Sequence, residues 1–200
     1  MPRGFPGMDE RDLIRKSQAG DLRAFELLVL ERRAQVFRIA RQILGDDEEA
    51  KDVAQLVFIR LWQSLGRYRE GGSFAAYLHR ITVNLALDFA RRQGIRERAG
   101  EATMEDLEEA AAAEGAAGAV PEPGEIQRIF RTLSRRLTPR QKAAFVLREI
   151  EEMSTEEVSE VLKMSASTVR NHVHAARKIL QEELRRLFPE YDRRGSGSRG

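Results

Sequence analysis

The chain has 200 residues, of which 42% are hydrophobic, and a formal net charge of +2. That is enough apolar material for one or two small cores, with no apolar run of membrane-spanning length and no hydrophobic signal core in the opening MPRGFPGMDERD, so the reading is a soluble cytoplasmic protein. The absence of cysteine excludes disulfides, thiolate metal sites and thiol catalysis.

In chain order, residues 1–7 read as a disordered N-terminus and residues 8–98 as a first helical domain. Within it, DDEEAKDVAQLVFIRLWQSL places Ala50, Val53, Ala54, Val57, Leu61 and Leu65 on one side of a helical wheel, which predicts a buried stripe. The opposite side carries Asp52, Gln55, Leu56, Ile59 and Gln63. Two apolar residues among polar hydrogen-bonding ones suit a protein-binding face, although the periodicity alone also fits packing against a neighbouring helix.

The next stretch, GRYREGGSFAAYLHRITVNLALDFARRQ, contains a Gly71-Gly72 loop and Ser73 as a cap. Leu78, Ile81, Leu85 and Phe89 are expected to form the core stripe of the following helix, with Tyr77, Arg80, Asn84 and Arg91 on the adjacent face. Rings interleaved with Arg and Asn, beside a loop carrying Tyr68 and Phe74, suit single-stranded DNA: bases stack on the rings and cations track the phosphates. A half-buried aromatic beside an Arg is also what simple packing produces.

Residues 99–124 read as a flexible acidic linker, rich in Ala, Glu, Gly and Pro and poor in large apolar side chains; its MEDLEEAAAAE segment has transient helical character. From Ala99 to Gln127 there are eight acidic residues and no Lys or Arg, so the remainder carries 34 basic and 24 acidic residues, a net +10. A basic body with an acidic connector points to a polyanion partner for the body, while an ordinary solvated linker has the same composition.

The second domain is expected over residues 125–191, followed by a disordered tail over 192–200. Thr138-Pro139-Arg140-Gln141 and Ser154-Thr155-Glu156-Glu157 both have the capping-box form, the first with Pro at the first helical position. The helix starting near Thr155 turns Val158, Val161 and Leu162 inward, breaks at Lys163-Met164-Ser165, and a new helix follows with the stripe Val169, Val173, Ala176 and Leu180. Two helices joined by a three-residue turn make a helix-turn-helix, whose second helix enters the major groove. Ser165 opens that helix; Ser167, Arg170, Asn171 and His174 would face bases, and Thr168, Arg177 and Lys178 phosphates.

The segments GDLRAFELLV, GDDEEAKDVAQLVFIRLW, SFAAYLHRITVNLALDFAR and LTPRQKAAFVLREIEEMSTEEVSEVLKMSASTVRNHVHAARKIL together resemble the extracytoplasmic-function (ECF) sigma factors, small two-domain specificity subunits of bacterial RNA polymerase, in the family's order and spacing. The resemblance implies an all-α chain with region 2 over 8–98 and region 4 over 125–191. Region 2 would bind core RNA polymerase through the helix bearing Asp52, Gln55, Leu56 and Ile59, and hold the melted minus-10 element through Tyr68, Phe74, Tyr77, Arg80 and Asn84, with Arg91 on the same face. Region 4 would read the duplex minus-35 element and dock on the polymerase flap. An anti-sigma factor is a further partner the family implies.

Leu56 departs from the family's usual Glu, and His172 and Ala175 from its common Arg, which alters the expected polymerase contact and removes two cations from the recognition helix. The competing reading is a stand-alone helix-turn-helix regulator, which leaves Leu56, Ile59 and the acidic linker unexplained. An enzyme is not expected. His79, His172 and His174 are the only histidines, the last two diverge on one helix, and there is no phosphate-binding Gly loop, nucleophile elbow, metal-ligand set or cofactor motif.

Overall fold

The computed structural model describes residues 9–69, 73–98 and 123–187. The expectations for the N-terminus, the Gly71-Gly72 loop, the linker from 99 to 122 and the tail lie outside these residues. The described residues hold eight α-helices and no strand, and the chain divides into two units, 1–89 and 90–200. None of these helices is long and apolar enough to cross a membrane.

The first unit is built from α1 (Glu10–Gln18), α2 (Leu22–Leu44), α3 (Asp47–Ser64) and the greater part of α4 (Phe74–Arg98), with a 3₁₀ turn, Leu65–Arg67, after α3. Short-range chemistry sets the boundaries. The Asp21 carboxylate accepts from the N–H groups of Arg23 and Ala24, and that of Asp46 from Glu49, which satisfies donors that a helix start leaves free. Gly45, at φ 83°, ends α2 in the left-handed conformation that costs glycine least. Leu13 and Ile14 of α1, Leu28, Val36, Ile39 and Ile43 of α2, and Val53, Val57 and Leu61 of α3 are buried, and Arg32 of α2 pairs with Glu10 of α1.

The α3 stripe is as the periodicity predicts, except that Ala54 is only half-buried. The α4 stripe is rotated from its expected position. Leu78 is buried, but Ile81, Leu85 and Phe89 are half-buried, while Phe74, His79, Thr82, Val83 and Ala86 take the interior. Thr82 fits there because its hydroxyl donates to the Leu78 carbonyl at 2.9 Å and needs no other partner. A reading based on large apolar residues alone misses a stripe completed by threonine and alanine.

The second unit's helices are α5 (Pro123–Leu133), α6 (Pro139–Phe145), α7 (Thr155–Leu162) and α8 (Ala166–Leu187). A 3₁₀ turn, Ser134–Arg136, precedes α6, and a π turn, Val146–Ile150, continues it. Helix α5 begins at Pro123, inside the stretch read as linker, with proline at a position that needs no amide donor. Both capping boxes form: Thr138 and Gln141 satisfy each other's backbone N–H, as do Ser154 and Glu157. Leu133, Leu137, Ala176 and Leu180 form one core cluster, with Phe130 stacked on Phe145 beside it.

Helix α8 is also held by a buried charge. Glu183, only 3% exposed, accepts hydrogen bonds from Arg186 at 2.7 Å and from Arg136 of the 3₁₀ turn at 2.7 Å. These guanidinium groups, Arg186 foremost, hold its carboxyl below the ordinary value of 4.5. A lowered folded-state value means that this stabilisation is complete above the unfolded value and is lost as pH falls through the folded one. The melting temperature should therefore drop in Glu183→Gln by more at pH 7 than at pH 3, read by thermal circular dichroism at both pH values.

Lys163, which closes α7, is a non-glycine residue at φ 52°. Left-handed backbone strains a side chain, and glycine relieves that strain at some cost in chain entropy. Lys163→Gly should therefore stabilise the second unit by about 0.5–1 kcal/mol, measured by denaturant unfolding.

Candidate functional site

Three surfaces carry the residues singled out from the sequence. The first is the outer face of α8. Ser165 precedes the helix, and its hydroxyl accepts the Thr168 N–H at 3.1 Å while lying 2.7 Å from the Thr168 hydroxyl and 2.9 Å from that of Ser167. The cap fixes where the helix starts, and Val169, Val173, Ala176 and Leu180 then point inward. Ser167, Arg170, Asn171, His174 and Lys178 are exposed, Thr168 is half-buried, and His172 and Ala175 lie half-buried at the margin of the polar face.

Arg177, expected to meet phosphate, is exposed but already engaged: its guanidinium donates to the Glu149 carboxylate on the π turn at 2.7 Å. The two residues are 28 positions apart, so reading α8 alone could not reveal the pair. The other expected cations of this face, Arg170 and Lys178, extend from the same helix as Asn171, whose amide can both donate and accept. Such a face offers bidentate partners for base edges and cations for phosphates.

The second surface lies where the 3₁₀ turn meets α4. The Tyr68 ring packs edge-on to Phe74 with centroids 5.6 Å apart and lies 5.1 Å from Tyr77. Arg80 places its guanidinium over the Tyr77 ring at 5.3 Å. The Tyr77 hydroxyl donates to Ser64 Oγ at 2.7 Å, and Ser64 donates to the Arg60 carbonyl at 2.7 Å, which anchors the ring to the end of α3.

Tyr68 and Tyr77 are half-buried and Arg80 and Asn84 exposed. Phe74 is only 5% exposed, so its ring supports Tyr68 from below and is not presented to solvent. Asn84 and the exposed Arg91 continue the same side of α4 at helical spacing from Arg80. Sequence reading missed Ser64 and also Gln18 of α1, whose amide reaches the carbonyls of Leu65 at 3.0 Å and Tyr68 at 2.8 Å.

The third surface is the outer side of α3. Asp52, Gln55 and Gln63 are exposed, and Leu56 and Ile59 are 40% and 47% exposed, so neither is covered by a neighbouring helix of the unit. The face is wider than the sequence suggested. Trp62 is 37% exposed and packs against Phe25 of α2 with ring centroids 4.8 Å apart; Leu22 and Leu30, also exposed, lie on α2. Leu22, Leu30, Leu56, Ile59 and Trp62, all exposed large hydrophobic residues, belong to these two helices. The only local signal for Trp62 was its position three residues after Ile59 on the helix.

Comparison with known proteins gives the same architecture. Residues 28–95 match the family model for sigma-70 region 2, and residues 127–180 that for sigma-70 region 4. The RNA polymerase sigma-H factor of Pseudomonas aeruginosa is 30% identical over 187 residues, covering 90% of this chain and 96% of the relative. The ECF RNA polymerase sigma factor SigE of Mycolicibacterium smegmatis is 34% identical over 161 residues, 80% of this chain and 62% of the relative. Among solved structures, the sigma factor RpoE of Bartonella quintana, in complex with the anti-sigma factor NepR, has a similar fold: TM-score 0.60, 22% identity, 82% of this chain and 98% of that one.

The Glu149 pair generates a prediction for the α8 face. A carboxylate holding Arg177 competes with any phosphate for that cation. Glu149→Gln should tighten duplex DNA binding and steepen the fall of log affinity with log salt by about one unit, the share of one added phosphate contact. Fluorescence anisotropy across a salt series measures both, and an unchanged slope would mean that Arg177 reaches no phosphate.

Proposed function

The chain belongs to the extracytoplasmic-function sigma factors of the sigma-70 family, subunits that give bacterial RNA polymerase its promoter specificity, and we propose how its surfaces divide that work. The α3 face, Asp52, Gln55, Leu56 and Ile59 with Trp62 beside them, binds core RNA polymerase. The cluster of Tyr68, Tyr77, Arg80 and Asn84, with Phe74 beneath it and Arg91 further along α4, holds unstacked bases and phosphates of the melted minus-10 strand. The α8 face reads the minus-35 duplex, Arg170 suiting guanine and Asn171 adenine, while Ser165, Ser167, Thr168, His174, Arg177 and Lys178 complete the contact or its cap.

The mechanism follows from what each surface can bind. Helix α8 needs intact duplex and so positions the promoter. The ring cluster accepts only bases that have left the stack, so its binding energy favours the open promoter over the closed one and shifts the equilibrium by that difference. Catalysis of RNA synthesis stays with the polymerase, and the protein works in the cytoplasm, where that enzyme and the chromosome are. Charge placement fits this division: the body outside residues 99–127 carries net +10 for a polyanionic promoter.

The observation that carries the reading is the exposed apolar face of Leu56, Ile59 and Trp62, because a stand-alone helix-turn-helix regulator has no use for it. One similar structure is of CnrH with the cytosolic domain of CnrY and another of the sigma factor RpoE with the anti-sigma factor NepR, and an anti-sigma partner of the kind seen with RpoE is proposed for this chain.

Run-off transcription from a library of promoter fragments, with core polymerase alone and with this protein added, tests the function. Discrete transcripts dependent on the protein are expected, and their aligned upstream sequences give both elements. Selection of duplex fragments without any transcript would favour the stand-alone regulator. Asp52→Ala combined with Gln55→Ala should weaken core binding in a competition assay. Arg170→Ala should cost about 1–3 kcal/mol of discrimination at one minus-35 base pair and leave core binding unchanged.

A further inference from the structure

We propose that Gln18, the last residue of α1, is a positioning residue for capture of the melted minus-10 strand, because its side-chain amide holds the turn from which Tyr68 projects. The inference rests on the reading of Tyr68 and Tyr77 as base-stacking rings. Gln18 lies 47 and 50 residues from the two carbonyls it contacts.

The sequence Ser17-Gln18-Ala19-Gly20-Asp21 makes this corner rigid from both sides. The Asp21 N–H donates to the Lys16 carbonyl at 3.0 Å and the Gly20 N–H to the Ser17 carbonyl at 3.0 Å, with Gly20 at φ 92°. This paired closure of a helix end requires the left-handed residue that glycine supplies. Asp21 then caps α2 through the N–H groups of Arg23 and Ala24. The backbone of Gln18 is therefore fixed by the end of one helix and the start of the next.

From that point the amide nitrogen donates to the Leu65 carbonyl at 3.0 Å and the Tyr68 carbonyl at 2.8 Å. Both partners are acceptors, so only the NH₂ end of the side chain satisfies them, and its two protons match two carbonyls. These carbonyls bracket the 3₁₀ turn of residues 65–67, and Leu65 O also accepts the Tyr68 N–H at 3.0 Å. Tyr68 leaves the turn in extended conformation, at φ −67° and ψ 129°, with its ring beside Phe74 and Tyr77.

The contact is the wrong size to be what holds the first unit together. Leu13, Ile14, Leu28, Ile39, Val57 and Leu61 bury α1, α2 and α3 with no help from an exposed amide. Two neutral hydrogen bonds at the surface are instead enough to change the population of one turn orientation about three- to tenfold. A shift of that size changes how often the Tyr68 ring is held at the angle at which a base meets it.

The test uses the full chain assembled with core polymerase and a single-stranded fragment of the minus-10 element recovered by run-off selection. Gln18→Leu keeps the bulk and removes both donors; Gln18→Lys restores donors on a longer arm. The expected result is a three- to tenfold loss of affinity for the melted fragment in Gln18→Leu, at least partly recovered in Gln18→Lys, with core affinity and minus-35 duplex binding unchanged and the melting temperature lowered by no more than the few degrees that two surface hydrogen bonds account for. Loss of core affinity in parallel with fragment binding would overturn the proposal, since it would make Gln18 a general structural residue. Unchanged fragment binding in Gln18→Leu, where Tyr68→Ala abolishes it, would also overturn the proposal but keep the stacking assignment. If Tyr68→Ala binds normally too, the stacking assignment itself fails.

Discussion

Ser165 caps the start of α8, and the use of that helix depends on which of its faces the apolar stripe buries. The hydroxyl that accepts the Thr168 N–H defines the first helical residue, and from there Val169, Val173, Ala176 and Leu180 fall on one side. Starting one residue later would not move the residues already in the helix, but a register in which Arg170 or Asn171 faced inward would bury a charge or an amide without partners, a cost of several kcal/mol. Inside and outside therefore select each other. Upstream, the Ser154–Glu157 box starts α7 and Lys163 at φ 52° ends it, so three successive local devices set where α8, the proposed recognition helix, begins.

The two surfaces proposed to face DNA are prepared to different degrees. Tyr77 is tied through Ser64 to the Arg60 carbonyl, Arg80 lies over its ring, and Tyr68 is wedged between Phe74 and Tyr77. Rings held in this way lose little freedom when a base stacks on them, which lowers the cost of binding a flexible single strand. On α8, Arg170 and Lys178 are long exposed side chains, which suits phosphates whose positions shift with the local shape of the duplex.

The sequence makes local chemistry legible and tertiary chemistry much less so. Both capping boxes are read correctly because each involves residues three apart, and the stripes of α3 and α8 follow because valine, leucine and alanine repeat at helical spacing. On α4 the same method selects Ile81, Leu85 and Phe89, whereas the fold buries Thr82, Val83 and Ala86; a threonine that satisfies its own hydroxyl is invisible to hydrophobic periodicity. Phe25 against Trp62, Arg177 with Glu149, and Gln18 with the turn after α3 join residues 28 or more positions apart, and no spacing rule connects them. The candidate surfaces were thus located by sequence, while the contacts that orient their side chains emerged from the fold.

Leu56 shows how one departure changes a surface. Beside Ile59 and Trp62 it widens the apolar area on α3, with Asp52, Gln55 and Gln63 at its edges. Covering apolar surface gains about 25 cal/mol for each Å² removed from water, whereas a buried carboxylate at the same position would require a partner charge. A leucine there broadens the range of surfaces that can cover α3, and the polar groups around it must then supply the discrimination. If the α3 face binds the polymerase as proposed, an inhibitor seated over Leu56 and Ile59 would exclude it by occupancy alone, because one patch can be covered by one macromolecule at a time.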